Sequence, residues 1–315
     1  MATDENPNSL SETTAYGPEL GPPDEYGFLR ADDGTPLYYE SRGKGPVLLL
    51  CYGLLCRKEH WRHQVAFFKK HFRVILFDYR GHQRSPIPVN DKNLTVDWCA
   101  RDAQAVIHRL GIESFAAFGH SLGVPVVAEL AVREPKRLKA AVFICGAVSN
   151  PFDQMFFTDR VDKLFEWTAY AFEWFPTTAS EVWKRLTGTN PVSYFLTAQL
   201  GFNPVTSDKK DILSYMEGVH QTHPHVFYKL LKDYRHTDRR ALLPQIEAPT
   251  LVVAGQEDCV TPFPVQEEIA RLLKHGELER VLEGSHNAHM DFPKQVNESI
   301  LSFLERSGFY SKETA

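Results

Sequence analysis

The sequence predicts an α/β protein built on a mostly parallel sheet with helices on both faces. Short apolar runs with strand character alternate with helix-length segments along most of the 315 residues, and this alternation is typical of parallel sheets. The helix predicted over residues 95–110 illustrates the pattern, because its apolar side chains recur at helical spacing and Gly111 follows its last turn. The length fits one such core with an inserted segment.

Eight strands are predicted from apolar runs bounded by turn residues. The first two are joined through Asp33-Gly34, a dipeptide that favours a tight hairpin turn. The predicted strands occupy residues 26–31, 37–41, 47–52, 73–77, 114–118, 139–145, 249–255 and 277–282. Further helices are predicted over residues 61–70 and 122–133, each between two of these strands.

Composition and charge argue against several classes of function. The formal net charge of −5 and the scattered lysines and arginines argue against nucleic-acid binding. The longest apolar run, residues 47–56, breaks at Gly53 and is shorter than the ~20 residues of a membrane span. Five cysteines without C-x-x-C spacing predict reduced core residues in a cytoplasmic protein. Residues 1–25 lack the features of a secretory signal, and they and residues 309–315 are predicted to be flexible.

A short histidine-rich segment is the one place in the sequence that prompts a search for a metal site. His220, His223 and His225 fall within six residues, but Pro224 interrupts a helix there and no carboxylate or cysteine nearby completes a ligand set. A solvated loop explains the segment better. The sequence therefore predicts neither a metal site nor a cofactor.

The segment Gly119-His120-Ser121-Leu122-Gly123 lies directly between a predicted strand and a predicted helix. A G-x-S-x-G sequence in this setting is typical of a nucleophilic serine on a sharp turn. The two glycines allow a strained backbone and a close approach of helix and strand. The N-terminus of the helix favours a negative charge that develops near Ser121. An ordinary strand–helix turn is the alternative explanation.

A nucleophilic serine needs a base, and the base needs an orienting carboxylate. Asp258 follows the seventh predicted strand and His286 follows the eighth, so both lie at carboxyl ends of strands, where open α/β sheets build their sites. Their order along the chain, serine, acid, histidine, is the order that accompanies this serine turn in hydrolases. The sequence therefore predicts Ser121, Asp258 and His286 as a catalytic triad.

At this point the chain resembles the α/β-hydrolase family, over residues 26 to 307. Four segments carry the resemblance beyond the serine turn. Residues 45–53 look like the family's third strand and its oxyanion loop, and residues 78–85 look like its D-x-R-G-x-G-x-S segment. Residues 255–258 look like the G-x-x-D that supplies the acid, and His286, seven residues before Pro293, matches the family's catalytic histidine. The resemblance implies an α/β-hydrolase fold with an eight-stranded sheet and an inserted helical cap. It also implies that the backbone N–H groups of Leu54 and Leu122 form the oxyanion hole.

Two departures from the family pattern and three rival residues need attention. Tyr52 stands where the family usually has His, and Gln83 stands where it usually has Gly. His289 is the rival base, and Glu257 competes with Asp258, although adjacent strand-end side chains point in opposite directions. His120, inside the serine turn, is interpreted as a packing residue beside the pocket.

The predicted cap covers residues 151–244, inserted between core segments 26–150 and 245–308. It shows no strand signal, and 12 of 50 residues in its first half are aromatic. Most of these are expected to build the core of the cap, and the others to line an apolar pocket above Ser121. An exposed part of this aromatic face is also compatible with contact to a membrane surface or a second copy of the chain. The candidate pocket residues are Tyr52, His120, Phe152, Phe156, Trp167 and Trp174.

The predicted activity is hydrolysis of a carboxylic ester of a hydrophobic small molecule. Carbon–carbon bond hydrolases of the same family are the nearest alternative, but they commonly have Trp after the catalytic histidine, where Asn287 stands here. A receptor-like member that binds a ligand with little turnover is a second alternative. Epoxide hydrolases and haloalkane dehalogenases use an Asp nucleophile, and Ser121 argues against both. Perhydrolysis without a cofactor is a conceivable side reaction of such a triad.

Overall fold

A single eight-stranded sheet forms the centre of the molecule. The computed structural model describes residues 20–158 and 160–311, excluding the side chains of residues 169–173 and 176. The strand order is β1-β2-β4-β3-β5-β6-β7-β8, antiparallel at β1/β2 and β2/β4 and parallel elsewhere. The strands are β1 (Glu25–Arg30), β2 (Pro36–Arg42), β3 (Val47–Cys51), β4 (Arg73–Phe77), β5 (Phe115–His120), β6 (Leu138–Ile144), β7 (Thr250–Gly255) and β8 (Gly276–Val281).

Helices cover both faces of the sheet, which confirms the predicted fold class. In one layer α1 packs with α11, and in another α2 packs with α3. The core helices are α1 (Arg62–Phe68), α2 (Val96–Arg109), α3 (Gly123–Arg133), α9 (Phe263–Leu272), α10 (Ala288–Asp291) and α11 (Pro293–Arg306). Strands β3, β5 and β6 are almost entirely buried, as expected of apolar parallel strands covered on two faces. Observed boundaries differ from the predicted ones by about one residue for most strands.

Among the described residues, five α-helices lie between β6 and β7, in the segment predicted to be the cap. They are α4 (Arg160–Trp174), α5 (Pro176–Thr187), α6 (Pro191–Gly201), α7 (Lys209–Gln221) and α8 (Pro224–His236). Part of this layer has a small apolar cluster of its own, in which Ala198, Phe202, Ile212 and Met216 pack with Met290. None of the helices in the described ranges is long and apolar enough to cross a membrane.

The structure corrects the predicted boundaries of the flexible ends. Leu20 is buried, and Arg42 Nη1 donates hydrogen bonds of 2.9, 2.9 and 3.1 Å to the carbonyls of residues 20, 21 and 22. The arm expected over residues 1–25 is therefore held from residue 20 onward, because a buried arginine needs these acceptors. Near the other end, Tyr310 packs on Phe72 with ring centroids 4.7 Å apart, whereas flexibility was expected from residue 309. Residues 1–19 and 312–315 lie outside the described residues.

A buried ion pair holds the turn after β4 in place. Arg80 Nε donates to Asp102 Oδ2 over 2.6 Å, its Nη2 contacts Asp102 Oδ1, and its Nη1 donates to Asp33 over 2.9 Å. Arg80 thereby connects the β1–β2 hairpin turn to α2. This segment supports the fold and lies outside the cavity at Ser121.

Candidate active site

Ser121 stands on a sharp turn between the end of β5 and the start of α3. Its φ is 53°, a left-handed value that is rare for a residue with a side chain. Both flanking glycines are required by close backbone approaches. A Cβ on Gly119 would lie 2.3 Å from the carbonyl oxygen of Gly123, and a Cβ on Gly123 would lie 2.0 Å from that of Cys51. The turn thus exposes the serine hydroxyl at the carboxyl end of a central parallel strand.

The three residues predicted as a triad form one continuous set of hydrogen bonds. His286 Nε2 lies 3.0 Å from Ser121 Oγ, and His286 Nδ1 lies 3.1 Å from Asp258 Oδ2. Because the carboxylate can only accept, Nδ1 carries the proton and Nε2 is the acceptor for the serine hydroxyl. This is the arrangement in which a histidine can remove a proton from a serine.

Asp258 is 1% exposed and fully hydrogen-bonded. Its Oδ1 accepts from the backbone N–H groups of Val260 and Thr261, both over 2.8 Å. Its Oδ2 accepts from Thr261 Oγ1 over 2.7 Å and from Gln266 Nε2 over 3.2 Å. These donors replace the hydrogen bonds to water that the carboxylate loses on burial, and they hold it in the orientation that contacts His286. Thr261 and Gln266 were not identified from the sequence, although their position shortly after a strand-end aspartate is compatible with such a role.

The structure separates the predicted acid and base from their rivals. Glu257 is exposed, whereas Asp258 is buried and is the carboxylate hydrogen-bonded to His286. His289 is completely buried, its ring lying 5.0 Å from that of Trp61 and 4.5 Å from that of His120, measured between centroids. Burial lowers the pKa of His289 well below its ordinary value, so it stays neutral in the folded protein. Its ring does not line the cavity that contains Ser121.

Two backbone N–H groups near Ser121 have no acceptor among the residues that the structure describes. They belong to Leu54, in the turn after β3, and to Leu122, at the start of α3. The turn lies close to the nucleophile, since a Cβ on Gly53 would be 3.0 Å from Ser121 Cβ. Unpaired N–H groups at this position can stabilise a negative oxygen on a carbonyl carbon bonded to Ser121.

Tyr52 and His120 are buried beside the site and do not line its cavity, which corrects the prediction for both. The Tyr52 hydroxyl accepts from the backbone N–H of Tyr79 over 3.0 Å, and the ring is buried. His120 Nε2 donates to the carbonyl of His286 over 3.0 Å, and burial lowers the pKa of His120 well below its ordinary value. Both side chains follow the inward direction of a buried strand end, so they pack into the core. Neutral His120 fixes the backbone of the proposed base.

A cavity of about 380 Å³ lies above Ser121 and His286. Phe152 and Phe156 line it, as predicted, and most of its remaining wall is aliphatic or aromatic: Leu54, Leu55, Pro151, Met155, Leu196, Leu200, Tyr215, Phe227, Leu231, Tyr234 and Val260. Such a wall excludes water around the hydroxyl and favours apolar ligands.

Trp167 and Trp174 lie away from this cavity, and their prediction as pocket residues is wrong. Their side chains are 77% and 74% exposed. Seven residues apart on α4, they share one face of the helix. Phe165, two residues before Trp167, is on roughly the opposite face and is buried against Phe152 with ring centroids 5.0 Å apart. Because Phe165 turns toward the core, the two tryptophans turn toward solvent.

The loop that carries His286 is hydrogen-bonded to the end of α6. The Gly201 carbonyl accepts from Asn287 Nδ2 over 2.7 Å, and Ser285 Oγ lies 3.0 Å from it. Asp291 strengthens the connection, since its carboxylate accepts from Ser285 N over 2.8 Å and from Asn203 N over 3.2 Å. Burial raises the pKa of the Asp291 carboxyl. The inserted helices are thus joined to both neighbours of His286.

The histidine-rich segment, predicted to be a solvated loop, spans the end of α7, which includes His220, and the start of α8. His223 is the N-cap of α8, where its side chain accepts from the backbone N–H of His225, and the His225 ring lies 3.1 Å from Asp91. Within residues 20–158 and 160–311 no group of three or more histidine, cysteine or acidic side chains is arranged to hold a metal ion.

Comparison with known proteins identifies the family. The family profile described as alpha/beta hydrolase fold matches residues 46–293. The chain belongs to the alpha/beta hydrolase fold family. It is 28% identical over 290 residues to a non-heme haloperoxidase of Rhodococcus erythropolis, covering 88% of this chain and 99% of the relative. It is 26% identical over 294 residues to a bifunctional esterase/perhydrolase of Acinetobacter calcoaceticus, covering 88% and 99%.

Solved structures agree with this membership. A hydrolase from Pseudomonas aeruginosa PA01 superposes with a TM-score of 0.71 at 25% identity, covering 89% of this chain and 98% of that one. The relatives support hydrolase activity for this α/β hydrolase.

Proposed function

We propose that this α/β hydrolase cleaves carboxylic esters with an apolar acyl group through an acyl-enzyme on Ser121. The observation that carries the proposal is the continuous hydrogen-bonded series from Asp258 through His286 to Ser121 at the floor of an apolar cavity. Serine nucleophiles are activated in this way in acyl transfer. The esterase/perhydrolase named among the relatives is compatible with it.

In the first half of the proposed reaction, His286 Nε2 takes the proton of Ser121 Oγ as the oxygen attacks the ester carbonyl. The oxygen of the tetrahedral intermediate accepts from the N–H groups of Leu54 and Leu122. Asp258 stabilises the imidazolium and keeps it oriented. His286 then donates its proton to the leaving alkoxide, and the alcohol departs from the acyl-enzyme.

In the second half, a water molecule replaces the alcohol. His286 takes one of its protons, the hydroxyl attacks the acyl carbonyl, and the carboxylic acid leaves as Ser121 regains a proton. The apolar cavity walls raise the strength of the electrostatic interactions at the reacting atoms. In this proposal helices α4–α8, within residues 151–244, serve as a cap over the core segments 26–150 and 245–308.

Labelling with a fluorophosphonate, followed by peptide mapping, tests the nucleophile. We expect one label per chain, on Ser121, together with turnover of p-nitrophenyl acetate or butyrate. Ser121→Ala should abolish both, while Ser302→Ala, at an exposed serine of α11, should change neither. Labelling without ester turnover would favour the carbon–carbon hydrolase or receptor-like alternatives, and absence of labelling would refute the nucleophile.

A second pair of variants tests the base. His286→Ala should lower kcat for p-nitrophenyl butyrate by several orders of magnitude, as removal of triad members does. His289→Ala removes a buried ring next to Trp61 and should affect stability more than chemistry. An inactive His289→Ala protein that is folded, beside an active His286→Ala protein, would contradict the assignment.

Peracid formation is a second candidate activity, favoured by similarity to the esterase/perhydrolase and the haloperoxidase. Hydrogen peroxide would take the place of water and attack the acyl-enzyme, releasing a peracid and free Ser121. Peracid production from an acetate ester and hydrogen peroxide, lost in Ser121→Ala, would support it. Ester hydrolysis with no peracid above the uncatalysed level would exclude it.

A further inference from the structure

A second cavity of about 570 Å³, open to solvent beside the exposed side chains of Leu164, Phe175 and Leu186, lies among the inserted helices, next to the one above Ser121. Its wall comes mainly from α4, α5 and α8. Among the described residues, thirteen line it; eleven of these are hydrophobic, the exceptions being Thr168 and Thr178, and none of the thirteen carries a charge. A cavity of this size and composition suits an apolar ligand.

The two cavities are neighbours that share part of their walls. Phe152, Phe227 and Leu231 line both of them. On the far side of this shared wall, Trp183 contacts Phe227 with ring centroids 4.9 Å apart. Side chains can change rotamer much faster than the microsecond-to-millisecond motions of domains. A ligand that starts at Ser121 and continues into the second cavity would therefore pass the side chains of Phe152, Phe227 and Leu231.

We infer that the second cavity binds the distal part of a long, unbranched acyl chain whose ester carbonyl lies at Ser121. The inference rests on the proposed ester hydrolysis and adds the class of substrate. Ser121 and His286 line the first cavity, whereas the described wall of the second is apolar apart from Thr168 and Thr178 and so suits a hydrocarbon chain. The first cavity lies near the small end of the range for ligand sites, about 300–1,000 Å³. The second extends the available space away from the reacting atoms.

The chain-length dependence of catalysis provides the test. Each methylene that leaves water raises affinity about fourfold, so kcat/KM for p-nitrophenyl esters should keep rising from four to at least twelve acyl carbons. All esters are used below their micelle concentrations. A maximum at four to six carbons, followed by a decline, would overturn the inference, while turnover of the butyrate would still support the proposed ester hydrolysis.

A filling substitution makes the test specific for the second cavity. Ala179, on α5, lines that cavity and is absent from the wall of the first. Ala179→Trp should lower kcat/KM for the dodecanoate at least tenfold and change that for the butyrate less than twofold. Thr177→Trp, at an exposed position on the same helix that lines neither cavity, is the matched control and should resemble the wild type. Equal effects of Ala179→Trp on both esters, in a folded protein, would refute the inference.

A binding measurement keeps the inference testable if the filled variant fails to fold. In Ser121→Ala protein, hexadecanoic acid brominated near its methyl end should quench tryptophan fluorescence more strongly than the acid brominated next to its carboxylate. The difference should disappear when Trp183, in the wall of the second cavity, is replaced by Phe. A difference that survives in the Trp183→Phe protein would locate the chain elsewhere, such as on the exposed face of α4, and would overturn the inference.

Discussion

Replacement of His82 should reduce the acid sensitivity of this protein. His82 is completely buried next to the rings of Tyr52 and Tyr79, and its Nδ1 donates to the Arg80 carbonyl over 3.3 Å. Burial lowers its pKa from 6.5 to about 4. The unfolded chain therefore binds more protons at this position than the folded protein does. The protein therefore has its full stability with respect to His82 above about pH 6.5, and its free energy of unfolding decreases as the pH falls toward 4.

The size of the effect follows from the pKa difference. At a pH below both values, a pKa shift from 6.5 to about 4 lowers the free energy of unfolding by about 3.4 kcal/mol. About 1.8 kcal/mol of this decrease occurs between pH 7 and pH 5. The ring is completely buried, so screening by solvent does not weaken this effect. Burial also lowers the pKa values of His60, His120 and His289. Those three contribute equally to the wild type and a His82 variant, and they cancel in the comparison.

Urea unfolding at pH 7 and pH 5 measures the effect. His82→Asn keeps a donor that can reach the Arg80 carbonyl and removes the titrating ring. The loss of unfolding free energy between the two pH values should be smaller by about 1.8 kcal/mol in the variant than in the wild type. His275→Asn, at an exposed position, is the matched control and should lose as much as the wild type. A His82→Asn protein whose loss equals that of the wild type within about 0.5 kcal/mol would refute the reasoning.

Three further predictions concern the site and its supports. Asp258→Asn should lower kcat for p-nitrophenyl butyrate by about 10⁴ because the amide favours the wrong tautomer of His286; an unchanged KM and circular dichroism spectrum would separate this from unfolding. Gly123→Ala should destabilise the protein by at least 2–3 kcal/mol, since its Cβ would meet the Cys51 carbonyl at 2.0 Å; an unchanged melting temperature would contradict the close approach. Asp291→Ala should unpair buried donors between the inserted helices and the loop that carries His286; limited proteolysis should then cleave the inserted helices sooner, and equal cleavage rates would argue against the connection.

The fold, and the placement of Ser121, Asp258 and His286 beside one another, could be predicted because their sequence signals are local. Alternating apolar runs mark the parallel strands. Ser121 directly follows β5, and Asp258 and His286 lie three and five residues after the ends of β7 and β8. The pocket could not be predicted equally well. Aromatic composition does not say which face of α4 turns inward, and that face was decided by the packing of Phe165 against Phe152. Supports such as Thr261 and Gln266 depend on loop geometry, for which the sequence carries only a weak pattern.

The hydrogen bonds at the Gly201 carbonyl have a consequence for the timing of the reaction cycle. One acceptor at the end of α6 is contacted from both sides of His286, by Ser285 and Asn287. Movement of α6 away from the core must break these contacts and release the backbone that positions the imidazole. If a bulky molecule enters or leaves beneath α6, the imidazole of His286 therefore loses the contacts that keep it aligned with Ser121. In the proposed reaction, proton transfer at Ser121 therefore requires α6 to be in contact with the loop that carries His286, so the same two contacts would both cover the site and orient the imidazole.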